Sequence, residues 1–339
     1  MCILKNSLFI LMVVSAFWGC SNEFDLIDTP KEIPVIYGML NLSDTATYIR
    51  VERAFADAKK SGIELAKDTN ALFYKDVVVK IVKVATGESF VLQKVDGNKE
   101  GYPRKDGLFV TAPNYLYKIK HTVLNPKADM KVRLEVRQAE KILTQATTQF
   151  IGSYEILDGF PNFDAPYVPI SAQSTLIIGL RSGETAAKFY DIRVHLNYDE
   201  IELNGNRVAK TLVWDYKTRL LRTSNGGQPS IAMYPERAGM DMFRYMSDVL
   251  PVISGARYFK DFDIALNAGG AELLDFQNIA LANTGITASQ ELPTYSNFSN
   301  GAYGLLTARH QTIRRGYKLS DAASNFLKEG DLTRKLNFR

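Results

Sequence analysis

The chain has 339 residues, 41 Lys plus Arg against 37 Asp plus Glu, and a formal net charge of +4. So small a surplus, evenly spread, excludes the strongly basic surface that nucleic-acid binding needs. Of its 2 cysteines, Cys2 falls in a leader and Cys20 opens the segment after it, which excludes a disulfide framework and a CxxC metal site. With 46% hydrophobic residues, burial alone can support two domains.

Residues 1–19 read as an export signal: Lys5 gives the positive start, and Ser7 to Phe17 is an apolar run of about 11 residues, too short to span a bilayer. Gly19 precedes Cys20. The segment resembles a bacterial lipoprotein signal, in which the cysteine becomes the first mature residue and carries lipid. Phe17 and Trp18 depart from the usual pattern. Ser21, Asn22, Glu23, Phe24 and Asp25 resemble the small-plus-acidic sequence that sends Bacteroidota lipoproteins to the cell surface. Residues 20–31 form an acidic tether ending near Pro30. The expected location is the outer membrane, lipid-anchored, facing outward. Acyl chains hold a protein there at roughly 0.8 kcal/mol per buried methylene.

Strand patterns dominate from 32 to 150. IPVIYGMLNL (33–42) and TYIRVERAF (47–55) flank the turn Ser43-Asp44-Thr45, and Ile49, Val51 and Phe55 alternate with Arg50 and Glu52. GIELAKD (62–68) suggests one helical turn. Further strands are expected at 76–84, 89–95, 107–112, 114–123, 130–138 and 141–150. Short strands at this spacing, without intervening helices, predict a mostly β fold beginning with an immunoglobulin/fibronectin-like β-sandwich. Residues 112–119 (APNYLYKI) look like a late strand of such a module, with either a corner tyrosine or an ordinary strand tyrosine.

A second β-rich domain with a few short helices is expected over 151–339. GFPNFDAPYVP (159–169) reads as an ordered loop, and Phe160, Phe163 and Tyr167 mark a candidate binding surface. Strands are expected next at 174–181 and 188–203. Asn204-Gly205-Asn206 turns the chain into 207–216, and 258–268 is again strand. Helices are expected near 236–250, 270–282 and 320–329, the last capped by Ser320 and stopped by Gly330.

Candidate chemistry is sparse. His121, His195 and His310 lie far apart and in no metal spacing. His195 alternates with Arg193 and Asn197, as on a solvated strand face. Asp261 and Asp263 share one side of a strand, about 7 Å apart, which suits a glycosidase or calcium site but also two solvent-facing acids flanking Phe262. Asp241 and Asp248 fit the wet face of a helix, and the Gly pairs at 226–227 and 269–270 fit hinges. RHQTIRR (309–315) fits a solvated edge, or a contact for an acidic partner or lipopolysaccharide phosphates. The 17 Tyr and 18 Phe serve either a core or carbohydrate platforms. No catalytic residue, metal or cofactor is assigned.

Two phrases carry a family resemblance: IPVIYGMLNLSDTATYIRVERAF (33–55), with its Y-I-R-V-x-x-A-F ending, and SNFSNGAYGLLTAR (296–309), with Leu306 where an aromatic is usual. The chain resembles a Bacteroidota family of outer-membrane lipoproteins of unknown function. The resemblance implies an envelope protein accompanying import or secretion machinery, and transfers no catalytic residue. Asn297, Asn300, Gly301 and Gly304 are expected to be architectural. The expected role is a non-enzymatic binding or accessory module, with the membrane, an outer-membrane protein complex and a glycan as candidate partners and nucleic acid excluded. The alternatives are a fimbrial subunit exported as a lipoprotein, and a secreted glycan or peptide hydrolase.

Overall fold

The computed structural model describes residues 32–54, 60–157, 167–168, 174–183, 186–202, 204–222, 230–282 and 294–339. Cys20 and residues 21–25 lie outside this set, as do Phe55, Phe160, Phe163 and the Gly pair at 226–227.

The first part comprises β1 (Ile33–Leu40), β2 (Ala46–Ala54), α1 (Gly62–Lys67), α2 (Thr69–Leu72), β3 (Val78–Lys83), β4 (Ser89–Val91), β5 (Gln93–Asp96), β6 (Tyr115–Lys120), α3 (His121–Leu124), β7 (Lys131–Gln138) and β8 (Lys141–Gln149). Alternation decides the faces. In β2, Thr47, Ile49 and Val51 point inward, and Tyr48 and Arg50 point out. The strands form two layers, β1-β2-β6-β5 and β4-β3-β7-β8. Read in chain order these are the A-B-E-D and C′-C-F-G sheets of an immunoglobulin-like sandwich. Ile36, Ile49, Tyr117 and Ile119 of one layer and Val79, Ile81, Leu134 and Val136 of the other fill a common core.

Four local expectations change. Residues 89–95 form two strands, β4 and β5, which belong to different layers and part at the buried Leu92. Residues 107–112 are loop, because β5 already pairs with β6 and leaves no free edge between them; Val110 N–H donates to the Ala66 carbonyl instead. Residues 112–119 lead into the E-position strand β6 rather than a later one, and its Tyr117 packs in the core. Residues 121–124 turn helical as α3.

The second part comprises β9 (Tyr154–Ile156), β10 (Tyr167–Val168), β11 (Thr175–Ile177), β12 (Leu180–Ser182), β13 (Phe189–Ile201), β14 (Arg207–Leu221), β15 (Ile231–Met233), β16 (Glu236–Ala238), α4 (Met240–Val249), β17 (Arg257–Gly269), α5 (Ala271–Ala282), β18 (Tyr303–Leu319) and α6 (Asp321–Glu329). The chain is thus mostly β with a few short helices. The helix expected from 236 starts at Met240, because 236–238 pairs with β11 as a strand. α6 begins on Ser320, whose hydroxyl accepts from Ala323 N–H, and ends at Gly330.

Four long strands, β14-β13-β17-β18, extend the β1-β2-β6-β5 sheet. The joint is β18. Its first half runs parallel to β1, with Tyr303 opposite Val35 and Ala308 opposite Leu40, and its second half runs antiparallel to β17. Residue 150 therefore separates β8 from β9 while one sheet continues on both sides of it. Gly304, at φ +126°, makes the joint possible, since a Cβ there would overlap the Ile36 carbonyl. Gly269 is a strand residue rather than a hinge, and the space its missing Cβ leaves is filled by the Phe189 ring. On the inner side, Met242, Phe243 and Met246 of α4 and Ala323 and Leu327 of α6 cover the long strands, with the Phe243 and Phe326 rings 4.8 Å apart. Arg257, with none of its surface exposed, pairs with Glu200 at 3.0 Å and donates to the Leu336 and Pro251 carbonyls, each at 2.9 Å, fastening the C-terminal residues to β17.

Candidate functional site

Where β18 meets β1, the residues between the inward-facing ones turn to solvent together. Tyr37 and Met39 come from β1, Tyr48 and Arg50 from β2, and Arg309 from β18, with the buried Leu305 of β18 forming part of the floor. Tyr102, from the β5–β6 loop, closes one side, and Asp44, from the β1–β2 turn, closes the other. Together they line a groove of about 330 Å³, at the small end of ligand-sized pockets. Tyr37 is 49% exposed, Tyr102 51% and Tyr303, just beyond the groove, 45%. The sequence pattern puts these side chains outside; only the parallel β1–β18 register puts them side by side.

The walls are fixed by bonds among themselves. The Tyr48 and Tyr102 rings lie 4.7 Å apart and tilted. The Tyr48 hydroxyl donates to Glu100 at 2.8 Å, and Lys118 pairs with the same carboxylate. That lysine bond, and then the tyrosine bond, hold the Glu100 carboxyl below its ordinary range, while burial raises the Tyr48 phenol. The Arg50 guanidinium donates to Glu52 at 3.0 Å and to the buried Asn114 Oδ1 at 2.9 Å, and Asn114 Nδ2 donates to the Tyr102 carbonyl at 2.8 Å. Arg309 makes no ion pair among the described residues. A rigid groove with exposed tyrosine faces, one open cation and one carboxylate is built for recognition: aromatic rings give contact area at low entropy cost, and the charges orient a molecule resting on them.

His310, next in sequence to Arg309, points to the opposite side of β18. The Ser43 Oγ is 3.0 Å from its Nε2, and its Nδ1 is 3.0 Å from the Tyr154 hydroxyl, which donates to the Leu266 carbonyl at 3.3 Å. The tautomer consistent with that chain has Nδ1–H donating to Tyr154 and Ser43 donating to Nε2. These are the distances of a nucleophile, a base and its orienter. The orienter here is a neutral phenol, which cannot stabilise an imidazolium as a carboxylate does, and burial lowers the basicity of His310 further. The three groups act as a clasp between the β1–β2 turn and β18.

On the same outward side of the sheet, farther along, lies the pair Asp261 and Asp263. Asn197 bridges them, its Nδ2 donating to Asp261 at 2.8 Å and to Asp263 at 3.3 Å, and Thr211 donates to Asn197 Oδ1 at 2.7 Å. Gly316 N–H and Lys318 complete the ladder. The acids face solvent in a satisfied network, away from the tyrosine groove. His195 sits opposite Asp263 in the β13–β17 register, and His121 lies 2.9 Å from the Thr47 hydroxyl. Among the described residues no group of three or more His, Cys, Asp or Glu is placed to hold a metal ion. Asp241 of α4 pairs with Arg237 of β16 and with Arg244 of α4. The basic run 309–315 is part of β18, so alternation divides its side chains between the two faces.

Of the expected binding loop, only Tyr167 falls within the described residues, in β10 beside Lys318. The groove instead involves the two phrases that carry the family resemblance: Tyr37, Tyr48 and Arg50 belong to the first, and Leu305 and Arg309 to the second. Sequence reasoning missed this site, although tyrosines at outward positions of both phrases were a signal for it. No family model matches the chain, and no curated protein matches it.

Proposed function

We propose that this protein is a lipid-anchored cell-envelope binding module of the outer membrane, held at the cell surface through Cys20, which uses the tyrosine groove to engage a partner of a transport or secretion complex. The observation that carries this reading is the meeting of the two resemblance phrases in one pre-organised, solvent-open groove. The membrane placement rests on the signal-like residues 1–19, Cys20 and the acidic run 21–25. No described helix is long and apolar enough to cross a membrane.

The fimbrial alternative needs a first strand that can leave. β1 is hydrogen-bonded on both edges, by β2 and by β18, and its Ile36 and Leu40 have no exposed surface, so its removal would split the sheet and open the core. The hydrolase alternative would look to Asp261 and Asp263, which Asn197 bridges in a half-exposed network, or to Ser43 and His310, whose orienter Tyr154 is uncharged. A serine-directed fluorophosphonate probe is expected to leave Ser43 unlabelled.

The test is co-purification from gently solubilised outer membranes, wild type against Tyr37→Ala/Tyr48→Ala, with mass spectrometry of the retained proteins. Recovery of an outer-membrane transport or secretion protein with wild type, reduced about tenfold by the double variant, supports the reading. Equal recovery with both removes the groove from it, and recovery of the protein alone removes the partner.

A further inference from the structure

The end of the sandwich from which β1 starts has a surface of its own. β1 enters at Ile33, opposite Ala54 of β2. α1 and α2 come after β2 at that end, and the β5–β6 loop returns to it, joined to α1 by the Val110-to-Ala66 backbone bond; the ring of Tyr115, the first residue of β6, lies 5.1 Å from that of Phe73, α2's C-cap. Three large apolar side chains stand in solvent there: Ile63 is 56% exposed, Leu108 62% and Phe109 43%. A folded chain does not ordinarily group such residues on one tip without a use for them. The charged groups around them are mixed. Glu64 is tied to Ser61 in a capping box, Asp68 pairs with Lys60, and Lys67, Lys105 and Asp106 make no ion pair among the described residues. No net charge dominates, so burial of the apolar side chains, rather than attraction to one sign of charge, would drive contact.

We infer that this tip rests on the lipid bilayer, with Ile63, Leu108 and Phe109 in the interfacial layer. The inference depends on the lipid-anchor reading of Cys20. Residues 20–31 span at most about 43 Å when fully extended, and about 20 Å as a random coil. A lipid at Cys20 therefore keeps the end of the sandwich that carries the three apolar residues close to the membrane. Each side chain that enters the interface adds apolar burial to the acyl anchor, the two-signal arrangement that makes peripheral attachment stable. Such a seat turns the opposite end, with the β1–β2 turn and α3, away from the membrane, and stands the tyrosine groove along the side where a neighbouring membrane protein can reach it.

The mature chain suits a direct test, because Cys20 is its one cysteine and Trp214, buried in the core, its one tryptophan. Mature protein is coupled through the Cys20 thiol to a maleimide-bearing lipid in phosphatidylcholine vesicles with brominated acyl chains. This anchors it whether or not the cell acylates it. Phe109→Trp places a reporter on the tip, and Val123→Trp, at a position 57% exposed in α3, places one at the far end. Leu108→Trp is a second tip reporter should the first variant fold poorly. The tip tryptophan is expected to lose about half of its emission or more relative to unbrominated vesicles, and the far-end one to be unchanged. An unquenched tip reporter, or equal quenching at both ends, overturns the inference. Failure of the anchor reading is seen separately, as an N-terminal peptide from native membranes that lacks the acyl mass on Cys20.

Discussion

Two stretches of one outward sheet face differ in a way that separates recognition from structure. At the β1–β2–β18 stretch, large rings stand exposed around Arg309, which makes no ion pair among the described residues. At the β13–β17 stretch, Asn197, Asp261, Asp263 and Thr211 face the same side and bond to one another. Exposure is common to both; the difference is that the ladder's polar groups are bonded to one another, whereas Tyr37 and Arg309 at the mouth of the groove make no side-chain bond among the described residues. A carboxylate pair on a strand drew attention in the sequence because two acids at that spacing can do chemistry. In the fold, an asparagine between them makes them a strand-to-strand tie.

The joint between β1 and β18 is where a single substitution does most harm. Gly304→Ala would force a Cβ into the Ile36 carbonyl at a positive φ, and is expected to cost about 3 kcal/mol or more. Denaturant unfolding should show the loss, with a sheet that no longer carries the groove. Arg257→Ala is expected to cost a similar or slightly smaller amount, about 3 kcal/mol, by leaving buried Glu200 with Lys210 as its remaining cation and two carbonyls without their donor. It should leave the groove's partner binding intact in the fraction that remains folded.

Smaller effects sharpen the contrast between the two stretches. Asn197→Ala removes three side-chain bonds from the ladder and is expected to lower stability by about 1 kcal/mol, with co-purification of partners unchanged. Tyr37→Ala, at an exposed position, is expected to change stability by less than about 1 kcal/mol while reducing co-purification. If the Asn197 variant lost partners and the Tyr37 variant kept them, the assignment of the two stretches would be reversed.

The smallest effect concerns pH. Burial pushes the Glu272 carboxyl up from its ordinary value, against the hydrogen bond from Thr148. The folded chain therefore holds that proton more tightly than the unfolded chain, and the associated stability is fully present below the ordinary carboxylate range and lost as pH rises through the folded value. Glu272→Gln is accordingly expected to raise the thermal midpoint at about pH 7.5, with the gain fading toward about pH 4. A gain that grew on acidification would contradict the assignment.

Much of the β framework was legible in the sequence. Alternation located β2, β7, β13 and β17 closely, and Ser320 and Gly330 located α6. The longest strand, β18, was not anticipated. Gly304 and Gly316 interrupt its pattern, its second half is basic, and its partner β1 lies far back in the chain, near the N-terminus. The groove was illegible for the same reason. Alternation shows that Tyr37 and Tyr48 point outward, but only the register against β18 shows which residues stand next to them. The Ser43–His310 clasp is likewise a product of that register, since nothing local in either segment signals the other.

The most direct measurement is photo-crosslinking in intact cells, with a photoreactive residue at position 37 in the groove or at position 213, an exposed site on the ladder side. The account predicts a discrete adduct with an outer-membrane protein from position 37 and none from position 213. No adduct from position 37, or the same adduct from both positions, would contradict it.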